Sequence, residues 1–180
     1  MPKFRFILAT VAATVLSASL AQAQAPAAPA APAVPEVMPF DIPYGTPIGL
    51  DLAHKGIIAA AAEAKKHNWK MSITVVDPSG NLVAHATMDG TQYGSIAISQ
   101  GKARTAALYR RQTKALEDAV NSGGRPSLLS LLALTQGAAS EGGFPIVVDG
   151  KLIGAIGCSG GISSQDAATC SAGLAALTAK

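Results

Sequence analysis

Two stretches of the chain share one pattern of apolar and polar positions: an apolar run, a turn led by Asp, and a second apolar run. The first stretch is Val75–Ala84 and the second is Val147–Ala155. The second turn, Asp149-Gly150, is a strong β-hairpin signal because it lies between apolar runs. The pattern therefore predicts two hairpins in one antiparallel sheet, with strands at Met71–Val76, Leu82–Met88, Phe144–Val148 and Leu152–Gly157.

The second hairpin is apolar at nearly every residue, which is typical of strands that are covered on both faces. We therefore expect this hairpin to lie at the centre of the sheet, with helices packed against it. Strands together with segregated helices predict an α+β domain. The helices are predicted at Leu50–Trp69, Gly94–Tyr109, Arg111–Asn121, Ser127–Leu134 and Gln165–Thr178.

Two of these helices carry further information. In the first helix, apolar residues and one histidine recur at helical spacing, and we expect this stripe to face the interior. The second helix is rich in Ala, Gly and Ser over Gly94–Ala107, a composition that suits close packing against another subunit. The residues of the first stripe are Leu50, His54, Ile57, Ile58 and Ala61.

The N-terminus has the organisation of a secretory signal peptide. A basic start with Lys3 and Arg5 precedes an uncharged, mostly apolar run and a small-x-small cleavage site at Ala21-Gln22-Ala23. We expect residues 1–23 to be removed and the mature protein to be periplasmic or secreted. Residues 24–37 are low in complexity, dominated by Ala and Pro, and are predicted to form an extended tether before a domain at 38–180.

Removal of the signal changes the charge of the protein. The whole chain has 14 basic and 11 acidic residues and a net charge of +3. Loss of Lys3 and Arg5 leaves 12 basic and 11 acidic residues, a net charge of +1. This balance argues against nucleic acid as a partner and against a polybasic membrane patch. We also expect no membrane insertion of the protein once the signal is removed.

The two cysteines, Cys158 and Cys170, both lie in the part of the chain that would be exported. Cysteines can pair in an oxidising compartment, but sequence does not show whether their Cβ atoms approach each other. We expect two buried free thiols rather than a disulfide. The chain has no C-x-x-C-H sequence, which excludes covalent attachment of a c-type haem.

Several motifs, in this order and spacing, resemble the GlcG/HbpS-like family, which is related to the C-terminal domain of PduO-type proteins. The resemblance covers about Ile48 to Leu177. It implies a profilin-like fold, homo-oligomers and haem binding, and for exported members a role in haem or redox sensing. The motifs are MDG at 88–90, GSIAISQGKARTAA at 94–107, TKALEDA at 113–119, EGGFPIVVDGKLIGAIGCSGG at 141–161 and SSQDAATCSAGLAAL at 163–177.

One departure from the family pattern lies just before Met88, where an aromatic residue and an arginine are common and this chain has His85 and Thr87. Haem iron takes an axial ligand from His, Met, Cys or Tyr. His85 and His54 are therefore the candidate metal ligands, with Met88 as a neighbouring cofactor-binding residue. Each histidine could instead be an interior residue that is satisfied by hydrogen bonds. His67, at the end of the first helix, is expected to be exposed.

The haem propionates would need cations or backbone N–H donors. Lys102 and Arg104 are the candidate cofactor-binding cations, and Arg111 could also serve. The loop Ser159-Gly160-Gly161 precedes a helix start, which could bind an anion or could simply be capped by the chain itself.

The sequence Gly157-Cys158-Ser159-Gly160-Gly161 fits the G-x-S-x-G motif, but no histidine follows Ser159 and the preceding strand belongs to a hairpin. We therefore assign no catalytic residues and leave enzymatic activity open. The leading hypothesis is an exported, oligomeric haem-binding protein that senses, stores or handles haem. One alternative is an enzyme or enzyme accessory that binds a small organic acid or aromatic compound in a pocket between subunits. Another is a small-molecule binding module without iron.

Overall fold

The computed structural model describes residues 34–179 and confirms the predicted α+β class, an antiparallel sheet flanked by helices. The predicted signal peptide and most of the tether lie outside the described residues. Within them, no helix is both long and apolar enough to cross a membrane. The elements are α1 (Leu50–Lys66), β1 (Ser72–Val76), β2 (Leu82–Thr87), α2 (Gly94–Leu108), α3 (Thr113–Asn121), α4 (Ser127–Leu134), β3 (Gly143–Val148), β4 (Lys151–Ser159) and α5 (Ser163–Thr178).

The two hairpins join into one sheet with strand order β2-β1-β4-β3. The second hairpin is therefore not central, contrary to the expectation from its apolar sequence. The central pair takes one strand from each hairpin, β1 and β4, and it is held by antiparallel pairing from Ser72↔Ser159 to Val76↔Ala155. Strand β1 is buried at every residue, including the polar residues Ser72 and Thr74.

The two faces of the sheet are covered by different helices. Helices α1 and α5 share one core with inward residues such as Ile73, Val75 and Ile156. Helix α2 covers the other face through Ala103, Ala106 and Ala107. A Cβ at Gly157 would lie 2.3 Å from the carbonyl oxygen of Ser99, so only glycine lets α2 approach β4 this closely. The small residues of α2 thus pack on its own sheet, where we had expected a second subunit.

The stripe predicted for α1 is right for Ile57, which faces the core, and wrong for three other members. Leu50 is 53% exposed, Ile58 is 68% exposed and His54 is also exposed. The reason is the close packing of α1 against α5, which small residues allow. A Cβ on Gly56 would lie 2.7 Å from the side chain of Leu177. The inward face is Ala53, Gly56, Ile57, Ala60 and Ala64.

Cys158 and Cys170 form a disulfide, so the expectation of two free thiols is wrong. Their Cα atoms are 5.6 Å apart, within the range that a disulfide bridges without backbone movement. The chain leaves β4 through a short turn and returns as α5 along the same face, which brings Cys170 back over Cys158. Both side chains are fully buried.

Candidate functional site

The side chain of His85 is the centre of a hydrogen-bonded cluster between β2, β1 and α2. Its Nδ1 lies 2.8 Å from Oγ1 of Thr74, and its Nε2 lies 2.9 Å from Oγ1 of Thr87 and 3.4 Å from Oγ of Ser72. The register explains these contacts, because Thr74 pairs with His85 and Ser72 pairs with Thr87 across the two strands. Residues directly opposite each other in an antiparallel pair bring their side chains together.

The cluster continues into α2. Thr74 is fully buried, and its Oγ1 lies 2.8 Å from Oγ of Ser99, which donates to the carbonyl oxygen of Ile96 at 2.9 Å. The chain of contacts therefore runs from the edge strand β2 through β1 to the backbone of a helix. His85 is half-buried at the outer end of this chain, and Thr87 is exposed beyond it.

Partial burial lowers the pKa of His85 below its ordinary value, because desolvation disfavours the charged imidazolium. This shift favours the neutral imidazole over the imidazolium. A neutral imidazole is the form that ligates a metal ion.

Thr87 also borders a surface cleft of about 320 Å³ at the C-terminal end of α1. Met88 lines this cleft and packs against the core shared by α1 and α5, so it does not lie beside the His85 ring. Lys65 and Lys70 contribute two positive charges to the lining of the cleft. The lining residues are Ala61, Lys65, Lys70, Thr87, Met88 and Asp89.

His54 lies apart from His85. Helix α1 covers one face of the sheet, whereas His85 contacts Thr74 and Ser99 on the face covered by α2. His54 is exposed to solvent rather than buried in the interior. The structure therefore does not bring the two candidate ligands together within one chain.

Lys102 has a partner inside the protein. Its Nζ lies 2.6 Å from Oδ2 of Asp166, and the two side chains are 1% and 4% exposed. The pair sits against Gly142, where a Cβ would lie 2.8 Å from Cβ of Asp166 and the φ angle of +114° also favours glycine. This ion pair joins α2 to the start of α5, so Lys102 does not present a cation to the surface.

The two arginines considered for propionates bind their own chain. Arg104 donates from Nε to the carbonyl oxygen of Gly80 at 3.3 Å and from Nη1 to Oε1 of Gln136. The guanidinium of Arg111 lies 3.7 Å from the ring centre of Phe40, a cation–π contact. Both side chains therefore hold loops and the N-terminal segment of the domain in place.

The start of α5 is capped by its own side chains. The N–H of Gly161 donates to Oδ1 of Asp166 at 3.0 Å, and the N–H of Ile162 donates to Oε1 of Gln165 at 3.2 Å. Of the two possibilities for the loop that ends at Gly161, the structure shows the capped helix. These N–H groups are not available to an anion.

Within residues 34–179, no three His, Cys, Asp or Glu side chains gather as a metal site. A metal held here by one histidine would need further ligands of its own, as haem iron has in its porphyrin. Ser72, Thr74 and Ser99 were not predicted as members of the site. Polar residues at alternate positions of the buried strand β1 were the available signal, since a buried hydroxyl requires a hydrogen-bond partner.

The chain is similar to a known family and to several known proteins. Residues 48–175 match the family described as haem degrading protein HbpS-like. Protein GlcG of Escherichia coli K12 is 48% identical over 103 residues, which are 57% of this chain and 74% of GlcG. The crystal structure of a PduOC–haem complex has a TM-score of 0.68 at 26% identity and covers 73% of this chain and 95% of its own. A double mutant of Streptomyces reticuli HbpS has a TM-score of 0.66 at 27% identity, with 83% and 96% coverage.

Proposed function

Because the chain belongs to the HbpS-like family, we propose that it binds haem through His85 and acts outside the cytoplasm as a homo-oligomer that senses, stores or handles haem. The environment of His85 is the observation that supports this residue as the haem ligand. The imidazole is half-buried, and burial lowers its pKa and so favours the neutral form; Nδ1 lies 2.8 Å from Oγ1 of Thr74 and Nε2 lies 2.9 Å from Oγ1 of Thr87. A metal-bound histidine commonly has its second nitrogen held by such a partner.

The ligand that this chain offers at His85 suits haem. A single imidazole nitrogen suffices as a protein ligand, because the porphyrin supplies the remaining equatorial ligands. Lys102 and Arg104 are paired within the chain. The cations that could reach a propionate past Thr87 are Lys65 and Lys70, which line the cleft that Thr87 borders at the end of α1. When bound, haem would supply a redox-active iron. The protein's part is to hold the neutral imidazole and pair the propionate charges.

Replacing His85 with phenylalanine is expected to weaken haemin binding tenfold or more, about 1.4 kcal/mol. The fold should persist, because Ser72 and Thr87 lie 3.0 Å apart and can bond to each other without the ring. The measurement is a Soret titration of the mature domain with haemin. His54→Ala is the matched control and should bind as the wild type does. Equal haemin affinity in the wild type and both variants would remove both histidines as indispensable ligands.

Two apolar helix faces support the proposal of a homo-oligomer. Helix α4 exposes Leu129 (53%), Leu131 (52%) and Leu134 (82%), and α1 exposes Leu50 and Ile58. Several large apolar side chains exposed on one helix are typical of an interaction surface, and closed symmetric assemblies are the usual result for one chain.

Light scattering of the mature protein is expected to give a mass of more than one chain at tens of micromolar. Leu134→Lys and Ile58→Lys, each at an exposed position, should identify the face involved, since only a charge within the interface would dissociate the assembly. A monomeric wild type at this concentration would contradict the proposal.

The disulfide supports the proposal of export. Disulfides persist in oxidising compartments and are rare in the cytosol. Cys158–Cys170 thus agrees with the predicted secretory signal at residues 1–23.

The cleft with Lys65 and Lys70 favours one second candidate, binding of a small organic acid. The same haemin titration distinguishes the two functions. An unchanged Soret band, together with saturable binding of a carboxylic acid that Lys70→Met abolishes, would favour the acid.

A further inference from the structure

A second surface cleft, of about 350 Å³, adjoins the first one, because Lys70 lines both. It lies between the residues that follow α1, the turn after β2 and the start of α5, and its lining includes Trp69, Gln92 and Gln165. Sites for small molecules commonly begin at about this volume. The two clefts are therefore close enough for one small ligand to contact both.

The backbone around the second cleft is fixed by contacts between three segments of the chain. A Cβ at Gly160 would collide with the carbonyl oxygen of Lys70, so only glycine lets the turn before α5 approach this closely. The N–H of Met88 donates to the carbonyl oxygen of Met71 at 2.9 Å and joins the turn after β2 to the same segment. A site formed by backbone that is already in place costs little ordering when a ligand binds.

The side chain of Gln165 has two unshared N–H donors in this lining. Its Oε1 accepts the N–H of Ile162 at 3.2 Å. Because a backbone N–H can only donate, the amide atom that faces it must be the oxygen. The NH₂ group of Gln165 therefore keeps both of its hydrogens, and it has no acceptor among residues 34–179.

Two further groups that only donate line the same cleft. The indole N–H of Trp69 has no acceptor among the described residues, and its ring is stacked on His67 with the ring centres 4.3 Å apart. The ammonium of Lys70 shares one of its three hydrogens with Oδ1 of Asn68 at 3.1 Å. One positive charge together with several N–H donors is a lining that suits an oxyanion, since hydrogen bonds to a charged acceptor are the stronger ones.

The first cleft is the less suitable of the two for such a group. It has two lysines, Lys65 and Lys70, but also the carboxylate of Asp89, which competes with a ligand for their hydrogens. Among the described residues that line the second cleft, none is acidic.

We propose that the second cleft binds the oxyanion of a small ligand, a carboxylate or a phosphate group, through Lys70, Gln165 and the indole N–H of Trp69. This inference rests on the second candidate function above, the binding of a small organic acid, and gives the anionic group of such a ligand its site. It shares only Lys70 with the residues proposed for haem.

The test uses the single tryptophan of the chain, whose indole N–H gives one signal in ¹H–¹⁵N NMR spectra. Benzoate and inorganic phosphate are titrated separately into the haem-free mature protein at constant ionic strength. A saturable shift of the Trp69 signal is expected with at least one of the two anions, and the anion that causes it identifies the group bound.

Gln165→Glu is the variant that separates binding from folding. Its carboxylate can still accept the N–H of Ile162, but it has no N–H to donate and it repels an anion. The affinity for the anion should fall tenfold or more in Gln165→Glu and in Lys70→Met, about 1.4 kcal/mol. Lys65→Met changes only the first cleft and should bind the anion as the wild type does.

Loss of binding in Lys65→Met with no change in Gln165→Glu would place the anion in the first cleft and overturn this inference, while the organic-acid candidate would stand. The absence of a saturable shift with either anion in the wild type would overturn both. Haemin titration of Gln165→Glu should match the wild type, so the haem function is tested separately. Thermal unfolding of each variant shows that the measured protein is folded.

Discussion

Replacing Lys102 with methionine is expected to lower the free energy of unfolding by about 3–5 kcal/mol and the melting temperature by roughly 6–20 °C. Lys102 and Asp166 are 2.6 Å apart and nearly fully buried, so the substitution leaves a carboxylate in the interior without its counter-ion. The cost is that of the stranded charge rather than of the lost attraction.

This deficit should depend on pH in a definite direction. Burial raises the pKa of Asp166, and the hydrogen bond from Lys102 opposes that rise. Without Lys102 the pKa of the folded state is raised further above its value in the unfolded chain. Such a group contributes stability below the unfolded pKa of about 4, and this stability is lost as the pH rises through the folded pKa. The difference between variant and wild type should therefore be smaller at pH 4 than at pH 8.

Two controls separate the buried charge from other effects of the substitution. The double variant with Lys102→Met and Asp166→Leu removes both charges and should recover much of the lost stability. Lys66→Met breaks the exposed pair with Glu63, at 2.7 Å, and should change stability little because solvent screens that pair. A double variant as unstable as the single one would show that packing, not charge, explains the loss.

The secondary structure could be predicted because its signals are local. The Asp-led turns and apolar runs located all four strands, and helix α4 at Ser127–Leu134 has the predicted bounds. The strand order could not be predicted, because the contact between β1 and β4 joins residues far apart in the chain and leaves no local signal. Apart from Ile57, the inner face of α1 was missed because its other buried residues are Ala and Gly, whereas hydrophobic stripes are identified by their large members.

The candidate site likewise has a part that the sequence predicted and a part that it did not. The sequence identified His85 as a departure from its family, but the partners of the ring depend on the register that pairs Thr74 with His85 and on a helix that brings Ser99 above them. The orientation of the candidate cations could not be predicted for a related reason. A lysine within a helix sequence does not show which side of the helix it occupies, and Lys102 occupies the inner one. Which side chains contact each other depends on the strand register and on helix packing, and composition does not show these.

Replacing both cysteines with alanine is expected to lower the free energy of unfolding by about 3 kcal/mol, which corresponds to roughly 6–12 °C in melting temperature. The disulfide joins residues 12 apart in sequence, and its loss enlarges the conformational freedom of the unfolded chain between β4 and α5. Reductant should destabilise the wild type once unfolding exposes the buried sulfurs and should leave the Cys158→Ala, Cys170→Ala variant unchanged. A double variant that melts with the wild type would show that the bridge does not stabilise the fold.

The same bridge provides the test of export. Protein expressed with residues 1–23 is expected to begin at Gln24, to be recovered outside the cytoplasm and to contain no thiol that an alkylating reagent can modify after unfolding. Protein expressed from residue 24 within a reducing cytoplasm should have two alkylated cysteines and the lower melting temperature of the double variant. Oxidation of that protein after purification should restore the difference, because the two Cα atoms lie 5.6 Å apart in the fold. Free thiols or an intact Met1 in the abundant form of the first protein would contradict export.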